Sequence, residues 1–155
     1  MNIVFVIARI ALVLIFMISG GEKLMDISAT AAAIQGKIVI PGALSGLAAQ
    51  ISSATGMTIP QLLAIATGVI EVAAALMIAA NIGTRLGAFL LIAFTLLATF
   101  YFHDFWNMAG PPRAENFNHA IKNLSIIGGL LVMLVLGPWR PLRTGDTLEP
   151  GQTRY

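Results

Sequence analysis

The chain contains no cysteine. This absence excludes disulfide bonds, catalysis by a protein thiol, cysteine-ligated iron–sulfur clusters and cysteine-based zinc sites. It also removes the usual sequence indicator of an oxidising compartment, because disulfide patterns are what mark one. Any reaction of this protein must therefore use other side chains or a bound cofactor.

Charged residues are scarce as well. Only 10% of the 155 residues are charged, against about 25% in soluble proteins, while 57% are hydrophobic. The mean hydropathy is +0.87. The formal net charge is +2, and no run of Lys or Arg could follow a phosphate backbone. These values exclude a soluble enzyme, a disordered chain and a nucleic-acid-binding domain, and they predict a protein that faces the lipid bilayer.

Four apolar segments are long enough to cross a membrane, because about 20 residues at a rise of 1.5 Å cover the hydrocarbon core. Their sequences are apolar on all sides rather than alternating, which favours helices over a β-barrel. We predict an all-α, four-helix transmembrane bundle over residues 1–139 and a solvated tail over 140–155. The predicted spans are residues 3–24, 60–80, 84–103 and 119–139.

The two sides of the membrane differ in the number of positively charged residues near the predicted spans. The short turn at 81–83 places both termini on the same side as that turn. Positively charged residues favour the cytoplasmic side, so we predict that both termini are cytoplasmic. The side with the termini carries Arg85, Arg140, Arg143 and Arg154, whereas the opposite loops carry Lys37 and Arg113.

The first loop is unusually long for a helical bundle. After Pro41, the apolar residues Leu44, Leu47, Ala48 and Ile51 recur at helical spacing. This pattern predicts a short amphipathic helix from Pro41 to Ala54, which lies on the membrane surface or acts as a lid.

Two ionisable residues lie deep inside the predicted spans. A charged side chain near the bilayer centre costs about 2.5 to 3.5 kcal/mol on insertion scales. Counting residues from the span ends places Arg9 and Glu71 at similar depths. We therefore predict that they form an ion pair, which serves either to hold two helices together or to bind a ligand or proton.

A second polar group is predicted at the opposite face of the membrane. Lys23 ends the first span, His103 ends the third, and Lys122 and Asn123 lie near the start of the fourth. Thr95, Thr99 and His103 also share one helix face. Together with Arg9 and Glu71, these residues predict a polar seam through the bundle, although snorkelling of the lysines to the headgroups is the simpler account of each alone. The candidate ligand-binding residues are Arg9, Lys23, Glu71, His103, Lys122 and Asn123.

His103 and His119 raise the question of a metal or haem. No third ligand stands at a zinc-like spacing, and a bis-histidine haem normally has its ligands within facing helices rather than at helix ends. We expect no metal site, no haem and no covalently bound cofactor.

Several segments in order resemble the DoxX family of small membrane proteins. The resemblance lies in Arg9 with the run FMISGGEK, in Gly68 to Glu71, in Thr84 to Ala88, in FHDFWN, and above all in KNLSIIGGLL from Lys122. It implies a four-helix bundle in the inner membrane of a bacterium. Its DoxD relatives look like subunits of thiosulfate:quinone oxidoreductase, which implies a redox-linked role, a quinone as ligand and the six candidate residues as its site.

Three functions follow as hypotheses. The first is a redox-associated subunit that binds a quinone-like head group and receives electrons from a soluble or membrane partner. The second is a non-enzymatic module that binds lipid or a partner subunit. The third is a proton-coupled carrier of a small solute, which four helices would support best as a homo-oligomer. Small residues at Gly83, Gly87, Gly128 and Gly129 allow close helix approach within the bundle or between subunits.

Overall fold

The computed structural model describes residues 3–138. Within that range the chain is helical and contains no strand, and four of its helices are long and apolar enough to cross a membrane. The predicted all-α bundle is thus confirmed. The end of the fourth predicted span, at Trp139, and the predicted tail lie outside the described residues. The α-helices are α1 (Ile3–Met25), α2 (Ile27–Gln35), α3 (Ser45–Thr55), α4 (Ile59–Ala79), α5 (Thr84–Phe102) and α6 (Gly110–Leu136).

Local sequence signals explain several helix ends. Thr58 and Gln61 form a reciprocal capping box at the start of α4, with Pro60 in the first turn. Between α4 and α5 the chain reverses in a tight turn, in which Asn81 and Gly83 adopt positive φ angles of 62° and 65°. A side chain at Gly83 would also collide with Met77. The predicted short connection between the second and third spans is therefore present.

Two helical segments differ from the prediction. α6 begins nine residues before the predicted start at His119, because its first two turns are polar and hydropathy detects only the part in contact with lipid. α2 was not predicted at all. Asp26 caps it by accepting a hydrogen bond from the backbone N–H of Ala29 at 2.9 Å. This bond lowers the pKa of the Asp26 carboxyl, and a second hydrogen bond, from the Ser28 hydroxyl, lowers it further, because both stabilise the charged carboxylate.

The four long helices pack in the order α1, α4, α5, α6, and the contact between α1 and α6 is small. We call the end at which α1 and α5 begin the Arg85 end, and the opposite end the Lys23 end. An apolar core fills the bundle from its middle toward the Arg85 end, and Gly87 approaches the backbone of Ala74 there. Gly128 faces open space. The buried core consists of Val13, Phe16, Ala74, Ala75, Ile78, Ala88, Leu91, Leu130 and Met133.

Candidate functional site

The half of the bundle toward the Lys23 end holds a cavity of about 660 Å³ instead of a filled core. We call it the main cavity. Residues of α1, α2, α4, α5 and α6 line it, and most of them are apolar. This combination of apolar walls and a few polar groups is typical of a small-molecule site. Four of the six predicted residues line it, namely Lys23, Glu71, His103 and Asn123.

Two glycines bring α1 and α4 together beside the main cavity. A Cβ atom on Gly20 would lie 2.8 Å from the carbonyl oxygen of Gly68 and 2.9 Å from the Cβ of Glu71. Only a residue without a side chain can stand at this crossing. The close approach places Glu71 level with Gly20, so that the lysine three residues later on α1 can reach it.

Lys23 and Glu71 form an ion pair on the cavity wall. The Nζ of Lys23 lies 2.9 Å from Oε1 of Glu71, whose side chain is fully buried, whereas that of Lys23 is 23% exposed. Lys23 also donates to the Ser19 hydroxyl and lies over the Phe94 ring. The other carboxylate oxygen, Oε2, is buried without a hydrogen-bond partner. A carboxylate accepts several hydrogen bonds, so this site has unused acceptor capacity.

The predicted pair between Arg9 and Glu71 is wrong. Glu71 stands level with Gly20, eleven residues along α1 from Arg9, which is about 16 Å at the helical rise. The prediction assumed that the two helices start and end at equal depths. The contact between Gly20 and Gly68 instead shifts α1 and α4 along their axes relative to each other. Arg9 is nonetheless buried, with only 3% exposure, and its guanidinium carbon lies 5.8 Å from the centre of the Phe5 ring.

His103 and Asn123 are held in place by side chains of α5 and α6. Nδ1 of His103 is 3.0 Å from Oδ1 of Asn116, and its ring stacks on His119 with centroids 4.8 Å apart. Asn123 donates from Nδ2 to the Thr99 hydroxyl at 2.8 Å. These bonds orient both side chains at the cavity.

Lys122 does not lie at the main cavity with His103 and Asn123. Its side chain is exposed and lies outside the main cavity, in the position that snorkelling predicts. The predicted seam therefore divides: four residues line the cavity, Lys122 faces outward, and Arg9 is buried nearer the Arg85 end. Within residues 3–138, no group of three or more His, Asp or Glu could hold a metal ion.

α2 covers the main cavity, which the sequence analysis missed. Ala29, Thr30, Ala33 and Ile34 line it, and α2 packs on α4. The following loop is tied down by Lys37, whose Nζ lies 3.1 Å from Asp104. The signal for α2 was present in the sequence as an N-capping Asp26 before an alanine-rich stretch.

The predicted amphipathic helix is present as a short 3-10 turn followed by α3, but it does not cover the cavity. Leu44, Leu47 and Ile51 are exposed, and no residue of α3 lines the main cavity. Of the two predicted roles, this placement favours the membrane surface over a lid.

The chain is similar in sequence to known proteins over most of its length. A family model described as DoxX matches residues 4–104. The chain is 34% identical over 136 residues to the protein named "Inner membrane protein YphA" of Escherichia coli (strain K12), a match that covers 88% of this chain and 84% of that protein. No solved structure shows a significant match.

Proposed function

This chain belongs to the DoxX family of integral membrane proteins, and from that premise we propose that its main cavity binds a small, largely apolar ligand of the quinone or quinol class. In this proposal the protein is a redox-associated subunit of the bacterial inner membrane, and a partner protein supplies the electrons. The name of the Escherichia coli relative and the four apolar helices support that location.

The observation that carries the proposal is the unpartnered oxygen of Glu71. Oε2 is buried and lacks a hydrogen bond, and Glu71 lines the main cavity. An unsatisfied buried acceptor is costly, and a ligand hydroxyl that donates to it removes the cost. On the same wall the Lys23 ammonium can donate to a carbonyl oxygen. The Nδ1–H of His103 donates to Oδ1 of Asn116, which leaves Nε2 of the neutral ring as an acceptor for a quinol hydroxyl.

The walls match the apolar part of such a ligand. Ile15 and Leu97 line the main cavity and are also 52% and 59% exposed on the outer surface of α1 and α5. A molecule dissolved in the bilayer can therefore enter from the side without crossing water. When bound, a quinone supplies two-electron, two-proton chemistry; the residues of this chain orient its oxygens and hold protons near them.

The first experiment is mass spectrometry of an organic extract of the protein purified in a mild detergent. We expect a quinone at a substantial fraction of one per chain. A phospholipid acyl chain in its place would favour the second function, a lipid-binding module, because the apolar walls suit both. An extract with only the bulk lipid composition would contradict both.

Variants of α6 connect the ligand to the main cavity. Asn123→Leu should weaken ligand binding about fivefold, corresponding to the loss of one neutral hydrogen bond of about 1 kcal/mol. Lys122→Met, one residue earlier, is the matched control and should bind as the wild type does, because its side chain is exposed. Titration of the delipidated protein measures both affinities. Equal losses in the two variants would place the ligand elsewhere.

The orientation in the membrane remains a prediction. The start of α1, the α4–α5 turn and the end of α6 gather at the Arg85 end, as the cavity there shows. We propose that this end faces the cytoplasm. Alkaline phosphatase fused after Tyr155 should be inactive, whereas an insertion between α5 and α6 at Met108 should be active. The reverse pattern would invert the topology.

A further inference from the structure

A second cavity, of about 880 Å³, opens at the Arg85 end, far from the main cavity. We call it the arginine cavity. Phe5 of α1 and Thr84 and Arg85 of α5 line it, together with Leu136 at the end of α6 and the two residues that follow it. Three side chains that can donate hydrogen bonds lie at this cavity or next to it: Thr84 and Arg85 line it, and Arg9 is next to Phe5.

Thr84 is the first of these groups. Its side chain is fully buried, and its hydroxyl oxygen has no hydrogen-bond partner. It stands in the first turn of the 19-residue helix α5, whose N-cap residue, Gly83, provides no side-chain hydrogen bond. The backbone N–H groups at the start of a helix carry partial positive charge and can bind an anion. The Thr84 hydroxyl provides a further hydrogen-bond donor beside them.

Arg9 is the second. It does not line the cavity itself but lies next to Phe5, which does, with the guanidinium carbon 5.8 Å from the ring centre. It is 3% exposed, and its buried Nε and Nη1 have no hydrogen-bond partner. A buried guanidinium with free N–H groups is strongly unfavourable unless an anion or acceptor satisfies it.

Arg85 is the third. Its Nη2 donates a long hydrogen bond of 3.4 Å to the carbonyl of Val135, and its side chain packs against Gly137. This contact uses one of its five N–H donors and leaves the others available to a ligand. The side chain is exposed, so a ligand can reach it.

No acidic residue within 3–138 balances these charges. Glu22 and Asp26 lie at the end of α1, Glu71 pairs with Lys23, and Asp104 and Glu115 lie beyond the far end of α5. The Arg85 end therefore carries two guanidinium groups and a helix N-terminus without a carboxylate among the described residues. Both the charge and the unused donors are those of an anion site.

We propose that the arginine cavity binds a phosphate group, held by Arg85, the Thr84 hydroxyl and the start of α5, while Arg9, next to Phe5, adds positive charge. Tetrahedral phosphate oxygens match several converging N–H and O–H donors, and Arg is the side chain best suited to phosphate. The phosphate is either that of an anionic lipid headgroup or the free ion. This site is separate from the main cavity and does not depend on the proposed quinone.

The test uses the full-length protein, delipidated in a neutral detergent at constant ionic strength. The thermal unfolding midpoint is followed against inorganic phosphate, short-chain phosphatidylglycerol and short-chain phosphatidylcholine, with chloride as reference. Stabilisation by phosphatidylglycerol well beyond that by phosphatidylcholine identifies a lipid headgroup. Stabilisation by phosphate with no difference between the lipids identifies the free ion. If neither anion stabilises more than chloride does, the proposal is overturned.

Variants then locate the site. Arg85→Gln should weaken binding of the stabilising anion at least tenfold, and Thr84→Val about fivefold. Because the Thr84 hydroxyl has no partner, Thr84→Val should fold at least as well as the wild type without the anion, which keeps the test free of a folding defect. Arg113→Gln, an exposed arginine at the Lys23 end, is the control and should bind normally. Equal affinities in Arg85→Gln, Thr84→Val and the control would overturn the proposal.

Discussion

Lys23→Met should destabilise the protein by about 3 to 5 kcal/mol, because it leaves a fully buried carboxylate without its cation. Glu71→Gln should cost less, since the remaining Lys23 ammonium is 23% exposed and still donates to Ser19. Met keeps the length and the apolar stem of the lysine, so the loss reports on charge rather than packing. Equilibrium unfolding in mixed micelles measures the free energy of unfolding of the wild type, Lys23→Met and Glu71→Gln.

The double variant separates pairing from other effects. With both charges removed, Lys23→Met with Glu71→Gln should recover most of the stability, giving a favourable coupling energy between the two positions. Lys122→Met is the control for the same chemical change at an exposed site and should be close to neutral. Additive losses in the double variant would show that the two side chains do not interact.

Ligand binding in the same variants tests the proposed function. If the double variant regains stability but loses the extracted ligand, the ion pair is part of the binding site. If it regains both, the pair only holds α1 against α4, and the proposed site on Glu71 is wrong.

Gly20→Ala should be the most damaging of the conservative substitutions in α1. Its new Cβ would lie 2.8 Å from the carbonyl oxygen of Gly68, and a backbone atom cannot move aside without separating the two helices. Overpacking of this kind costs about 1 to 3 kcal/mol, and sometimes more. Because the same contact aligns Lys23 with Glu71, ligand content should fall together with stability.

The neighbouring glycine provides the control. A Cβ on Gly21 meets nothing within 4 Å, so Gly21→Ala should be neutral or stabilise α1 by up to about 1 kcal/mol through helix propensity. Thermal unfolding of the two variants in the same detergent gives the comparison. Similar midpoints for both would contradict the close α1–α4 contact.

Much of the candidate site was visible in the sequence because charge inside a membrane is costly and therefore rare. Glu71 stood out for this reason, whereas Lys23, His103 and Asn123 stood out by their positions at the ends of spans. Lys122 shared that signal but faces outward, since a lysine near a helix end can equally extend to the headgroups. Position along a span does not say which way a side chain points.

The amino-acid sequence by itself determined the membrane class, the helical fold and the ends of α1, α4 and α5 to within two residues, because the thickness of the bilayer dictates the length of an apolar run. It did not show that Glu71 pairs with Lys23 rather than Arg9. That choice depends on the stagger of α1 against α4, which a contact between Gly20 and Gly68, 48 residues apart in sequence, sets in three dimensions. Nor did it show that α2 folds over the main cavity, because a short helix of small residues has little periodicity, and its position is decided by packing on α4.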